Sequence, residues 1–170
     1  TDASGTGGDA TGALANGFAG IEIANGAAGT VIGGPGAADR NLIVGAAGTT
    51  GVRLSHAAGA TVRGNYIGTG RAGTSRVGTQ LGIDVGRTAN TTTIAGNVIG
   101  AGQSGIRISN GVRDVNLQAN RIGVGADGAA NIGGAWHGIH ITNGGQTTDS
   151  PARITVDGNT IGHWALYGIY

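Results

Sequence analysis

Gly51-Val52-Arg53-Leu54, then Thr61-Val62-Arg63, then Asn65-Tyr66-Ile67: three short pieces follow one another, each alternating apolar with polar or small residues. Alternation of that kind is the mark of a half-buried strand, and the glycines and asparagine that open the pieces mark turns. The same order returns along the chain. Gly-apolar-x-apolar stands at Gly20-Ile21-Glu22-Ile23, Gly82-Ile83-Asp84-Val85, Gly105-Ile106-Arg107-Ile108 and Gly138-Ile139-His140-Ile141, and Gly168-Ile169-Tyr170 begins a sixth copy. Asn-x-Ile falls between the copies at Asn41/Ile43, Asn65/Ile67, Asn97/Ile99, Asn120/Ile122 and Asn159/Ile161. A further apolar position precedes the Asn at Val62, Ile94, Leu117 and Val156, and Val31 is assigned the same place ahead of an insertion from Gly33 to Arg40.

Successive copies lie 31, 31, 23, 33 and 30 residues apart. A period of that size is the signature of a stacked repeat. Strands this short cannot stand alone, but coils stacked about 4.8 Å apart can hydrogen-bond to one another and bury their inward side chains in columns. Leucine-rich and ankyrin repeats have similar periods but need a helical segment, and no interval here has 3.6-residue periodicity. A β-sandwich would not keep three units in fixed order. The expected fold is therefore all-β: a right-handed parallel β-helix of about five to six coils, each of three short strands, forming one solenoid domain over residues 1–170.

The turns vary in a pattern. From each Asn to the following Gly the chain runs 10, 17, 8, 18 and 9 residues, so long turns fall on alternate coils. Gly68 to Leu81 and Gly123 to His137 are the long ones, and Thr1 to Ala19 reads as a third. Leaving from one corner, they are expected to stack as a lateral flange. Both ends fall within the repeat without a visible cap. The expected partners are thus adjoining coils of a longer chain or stacked copies of the same one.

Composition agrees with a thin core of small residues. Of 170 residues 38 are Gly, only 11% are charged, and the net charge is +1. Such a balance gives no general grip on nucleic acid. The chain has no cysteine for a disulfide or a zinc knuckle, and no apolar run of the roughly 18 residues that a membrane span requires.

Thr30-Val31-Ile32-Gly33-Gly34 leading to Arg40-Asn41-Leu42-Ile43, and Gly64-Asn65-Tyr66-Ile67-Gly68-Thr69, resemble the bacterial right-handed β-helix repeats of large secreted and surface proteins, within the broad pectate-lyase-like superfamily. The resemblance spans essentially the whole chain. It implies an extracellular or cell-surface location and a structural or adhesive role in a fibre or surface protein. The same superfamily includes polysaccharide lyases and tailspike-like glycoside hydrolases, which is the alternative function.

The outward position of the first strand forms a column of Glu22, Arg53, Asp84, Arg107, His140 and Tyr170. Its signs alternate, as in a surface ion-pair ladder. Read functionally, the column is a face for glycans or another partner, together with the aromatics Trp136, Trp164, Tyr167 and Tyr170. Glu22 and Asp84 would stand two coils, roughly 9 to 10 Å, apart, at or beyond the upper limit for an inverting glycosidase pair, with Arg53 between them. A general acid needs a raised pKa. No catalytic residue, metal or cofactor is therefore assigned, although His137, His140 and His163 offer metal-ligating side chains and Asp2, Asp9 and Asp127 offer carboxylates for calcium. Asn41, Asn65, Asn97, Asn120 and Asn159 are expected to form a structural ladder, aided by the tolerance of Asn for left-handed backbone. Thr30, Thr61, Thr93 and Thr155, interrupted by Asn116, form a further expected column, beside Ile32, Arg63, Ala95, Gln118 and Asp157.

Overall fold

The computed structural model describes residues 16–144 and 149–170. Most of the expected first long turn, with Asp2 and Asp9, lies outside the described residues. Among the described residues sixteen strands, β1 to β16 in chain order, form three parallel sheets. The first contains β1 (Ala19–Ile23), β4 (Thr50–Ser55), β7 (Leu81–Gly86), β10 (Ser104–Ser109), β13 (His137–Thr142) and β16 (Tyr167–Ile169). The second contains β2 (Val31–Gly33), β5 (Thr61–Arg63), β8 (Thr93–Ala95), β11 (Arg113–Gln118) and β14 (Ala152–Asp157). The third contains β3 (Leu42–Ile43), β6 (Tyr66–Ile67), β9 (Val98–Ile99), β12 (Arg121–Ile122) and β15 (Thr160–Ile161). Every strand pairs with its counterpart one coil away, the arrangement of a parallel β-helix.

Apolar side chains alternate inward and stack. Ile43, Ile67, Ile99, Ile122 and Ile161 are in register in the third sheet. Ile21, Val52, Ile83, Ile106, Ile139 and Ile169 do the same in the first. The repeated glycine belongs to this packing. A Cβ on Gly82 would stand 2.5 Å from Ile99 Cγ2 and 2.3 Å from the Gly105 carbonyl oxygen, and one on Gly51 would meet Ile67 Cγ2 at the same 2.5 Å. Gly and Ile recur together because each fills the space the other leaves.

The second sheet corrects the expected register by one residue. Ile32, not Val31, pairs with Val62 and is buried, while Val31 pairs with Thr61 and is exposed. The outward column is therefore Val31, Thr61, Thr93, Asn116 and Thr155, without Thr30, and Gly33 instead of Ile32 heads the companion column. The insertion after Gly33, with its short 3-10 turn at Ala37–Asp39, had hidden this offset.

The asparagines form the expected ladder. The backbone N–H and Nδ2 of each donate to Oδ1 of the next: Asn41 to Asn65 at 3.1 and 2.9 Å, Asn65 to Asn97 at 2.9 and 3.2 Å. Asn97 to Asn120 and Asn120 to Asn159 repeat it. From Asn65 onward Nδ2 also donates to a second-sheet carbonyl of the preceding coil, at Ile32, Val62, Ile94 and Leu117. Left-handed backbone is not the reason for Asn here. The positive φ lies one residue earlier, at Gly64, Gly96, Ala119 and Gly158; the asparagine is needed for its amide.

The two described long turns share one internal design. Gly70 N–H donates to the Ser75 carbonyl and Val77 N–H to that of Gly68; Gly125 to Ala130 and Ile132 to Gly123 repeat those bonds. They meet as a flange, since Ala126 N–H donates to the Gly73 carbonyl at 2.9 Å and Arg76 Nη1 to that of Gly133 at 2.5 Å.

Two substitutions test this packing. Ile99→Asp buries a carboxylate in a site with no solvent access and is expected to cost more than about 4 kcal/mol, whereas Thr160→Asp, exposed on the same sheet, should stay within about 0.5 kcal/mol. Gly82→Ala should cost about 1 to 3 kcal/mol through overpacking. Chemical denaturation read by far-UV circular dichroism measures all three.

Candidate functional site: the outer face of the first sheet

On the first sheet the central residue of each Gly-apolar-x-apolar unit points away from the core. Glu22, Arg53, Asp84, Arg107 and His140 are mutually in register, as the sequence suggests. Tyr170 exchanges backbone hydrogen bonds with Ile139 and Ile141 and so lies beside His140.

The ion pairs are unequal. Arg53 Nε approaches Glu22 Oε1 only to 3.8 Å, and its guanidinium lies 5.1 Å from the centre of the Phe18 ring. Arg107 grips Asp84 with two parallel hydrogen bonds, Nε to Oδ1 at 2.9 Å and Nη2 to Oδ2 at 2.8 Å. That fork geometry is the strong form of the contact. Asp84 is 8% exposed. The hydrogen bond to Asp84 raises the Arg107 pKa above its ordinary value, burial opposes this, and the carboxylate charge adds to the rise.

One coil further on, His140 is pushed below the ordinary histidine value by partial burial first, then by His137 and by Arg107. A group so placed is neutral at pH 7. His137 and His140 sit edge to face with centroids 4.9 Å apart, and Tyr170 stacks on His137 at 4.9 Å. Tyr167 stacks on both His137 and Tyr170, at 5.6 and 5.4 Å. Four rings thus form one cluster, with Tyr167 and Tyr170 more than half exposed.

Other aromatic candidates separate. Trp136 is 44% exposed, but Trp164 packs against the hydrophobic core and donates its Nε1–H to the Ile122 carbonyl at 3.2 Å. It fills space beside Gly105 and Gly138 instead of presenting a ring to a ligand.

A cleft of about 400 Å³ runs over this face. Arg53, Asp84, Arg107 and His140 line it from the strands, and Arg87, Asn110 and Gly144 from the corner that follows. Arg87 and Asn110 are absent from the sequence-based candidates. A signal for them exists: Asn25, His56, Arg87 and Asn110 each stand two residues after the last inward apolar residue of a first-sheet strand, and all four have left-handed backbone.

On this face Asp84 is engaged by Arg107 through both oxygens, and Arg53 stands between Asp84 and Glu22 in the column. Among the described residues no three His, Cys, Asp or Glu side chains gather as metal ligands. Asp127 accepts hydrogen bonds from the Ala129 and Ala130 N–H groups, which hold its pKa down; it shapes its turn. Comparison with family models, curated proteins and solved structures finds no match.

The depressed His140 pKa has a sign. Because the folded protein binds this proton less readily than the unfolded chain, the stabilisation is fully present above about pH 6.5 and is lost as pH falls through the lower folded value. The His140 resonances should titrate below pH 6.5 by NMR, and His140→Gln should reduce the loss of thermal stability between pH 7 and pH 5.

Proposed function

We propose that this solenoid is a structural and adhesive element of an extracellular or cell-surface assembly, of the kind that bacterial β-helix repeats build, with the outer face of the first sheet as its contact surface. The observation that carries this reading is the Asp84–Arg107 fork. The most enclosed carboxylate of the face is hydrogen-bonded through both oxygens to a guanidinium of the next coil, so the fork is engaged in joining one coil to another. The Asn ladder supports the same reading, because its recurrent polar groups are used in joining coil to coil. A coil of the same kind is the partner best suited to extend such a ladder.

The cleft favours a second reading, a carbohydrate-active β-helix of the lyase or tailspike-like hydrolase type. Its arginines would then bind substrate while a residue beside them moved a proton. The two readings differ in turnover. Incubating the chain with pectin, alginate and bacterial surface glycans, with and without calcium, is expected to release no new reducing or unsaturated ends. Release that disappears in Asp84→Asn would replace the adhesive reading with the enzymatic one.

A further inference from the structure

We propose that Thr88 is an acyl-acceptor site: its hydroxyl, activated by the His56 imidazole of the neighbouring coil, takes an acyl group from an activated ester or thioester. The inference stands apart from the adhesive reading. It concerns the corner that follows β4 and β7, where neither residue lines the first-sheet cleft.

The backbone of the corner is the first argument. In the first coil the corner is a tight turn over Asn25-Gly26, both left-handed at φ 55° and 83°, closed by the Ala27 N–H to the Ala24 carbonyl at 3.2 Å. Asn110-Gly111 repeats the conformation at 58° and 70°. Asn-Gly is the pair that such a turn prefers, because both central residues need a positive φ. The third coil makes the same turn from Arg87-Thr88, at 49° and 59°, closed by the Ala89 N–H to the Gly86 carbonyl at 3.3 Å. A left-handed backbone is an outlier for a β-branched residue. Thr88 is therefore held in strain where glycine fits freely, and strain of that kind gathers at functional sites.

The hydroxyl supplies the second argument. Thr88 Oγ1 lies 3.0 Å from Nδ1 of His56, and the His56 backbone N–H donates to the Arg87 carbonyl at 2.8 Å. The histidine is thus tied to the strained turn through both its backbone and its ring. With its proton on Nε2, the imidazole accepts the hydroxyl hydrogen at Nδ1, which is the relation of a general base to a nucleophile. Both residues are exposed, so an acyl donor reaches the oxygen. Thr91 is also exposed and left-handed, at φ 59°, but has no imidazole on its hydroxyl among the described residues. It separates the effect of the base from that of the backbone.

The step balances with the acyl donor alone. Oγ1 attacks the carbonyl carbon as His56 takes the hydroxyl proton; the bond to the leaving group then breaks, and the proton passes to the departing phenolate or thiolate. Thr88 remains as its ester. Water solvates the tetrahedral oxyanion at so open a corner, so the gain over an ordinary threonine is that of the base, about a hundredfold.

The test is incubation of the full chain with p-nitrophenyl acetate, followed by digestion and tandem mass spectrometry. Thr88 is expected to gain an acetyl group about a hundredfold faster than Thr91. His56→Asn, which gives this corner the residue of Asn25 and Asn110, should leave the circular dichroism unchanged and bring Thr88 down to the rate of Thr91. Thr88→Ser keeps the hydroxyl and should keep the label. Thr88→Gly should lose the label and melt at a higher temperature, because the strain is relieved. Equal labelling of Thr88 and Thr91, or labelling of Thr88 undiminished in His56→Asn, would overturn the site. So would acetylation confined to other residues, or an unlabelled Thr88→Ser. A lower melting temperature in Thr88→Gly would show a relaxed corner and overturn the reading of Thr88 as strained for use.

Discussion

The contact on which the coil depends is that of a glycine with an isoleucine methyl. Gly20, Gly51, Gly82, Gly105 and Gly138 each lie where a Cβ would fall between 2.4 and 2.7 Å from the Cγ2 of Ile43, Ile67, Ile99, Ile122 or Ile161. The first and third sheets can therefore close on each other only where one of them has no side chain. This closes the triangle of the coil at its narrowest point, and close packing without voids leaves no slack to absorb a misfit. The inward columns of all three sheets are brought together by that approach.

A polar counterpart holds the opposite requirement. Turning a chain sharply inside a solenoid leaves backbone groups at the corner without strand partners, and such groups are costly when buried. Asn65, Asn97 and Asn120 are essentially inaccessible to solvent, and each amide joins its own coil to both neighbours. Constraint therefore falls on inward and corner positions. The outward position of the first sheet is free of it, and there the residue changes from coil to coil: Glu22, Arg53, Asp84, Arg107, His140.

That division explains what the sequence made legible. The Ile column, the Asn ladder and the outward charge column could be read because each repeats under a fixed physical demand. Val31 was misplaced because Val31 and Ile32 are both β-branched and apolar, and only pairing with Thr61 and Val62 decides which faces inward. Arg87 and Asn110 escaped because their column is defined by backbone conformation; Asn, His and Arg share a left-handed φ there but no common side-chain chemistry. Trp164 could not be placed by type alone, since an indole both fills a core edge and stacks on ligands. The Asp84–Arg107 fork required coordinates, because a column of alternating signs does not say which neighbour an arginine turns toward.

The flange sets the unit in which such a rod can change length. The turn closed by Gly68 and Val77 touches the one closed by Gly123 and Ile132 across an intervening coil whose own connection is short. Duplicating or losing a single coil would place two long turns, or two short ones, on adjacent layers, and the Ala126–Gly73 bond and the reach of Arg76 to Gly133 would have no counterpart. Adding or removing a pair of coils preserves both. The architecture is thus quantised in twos although its core is periodic in ones, and recombination among such repeats is filtered at the flange, not in the hydrophobic column.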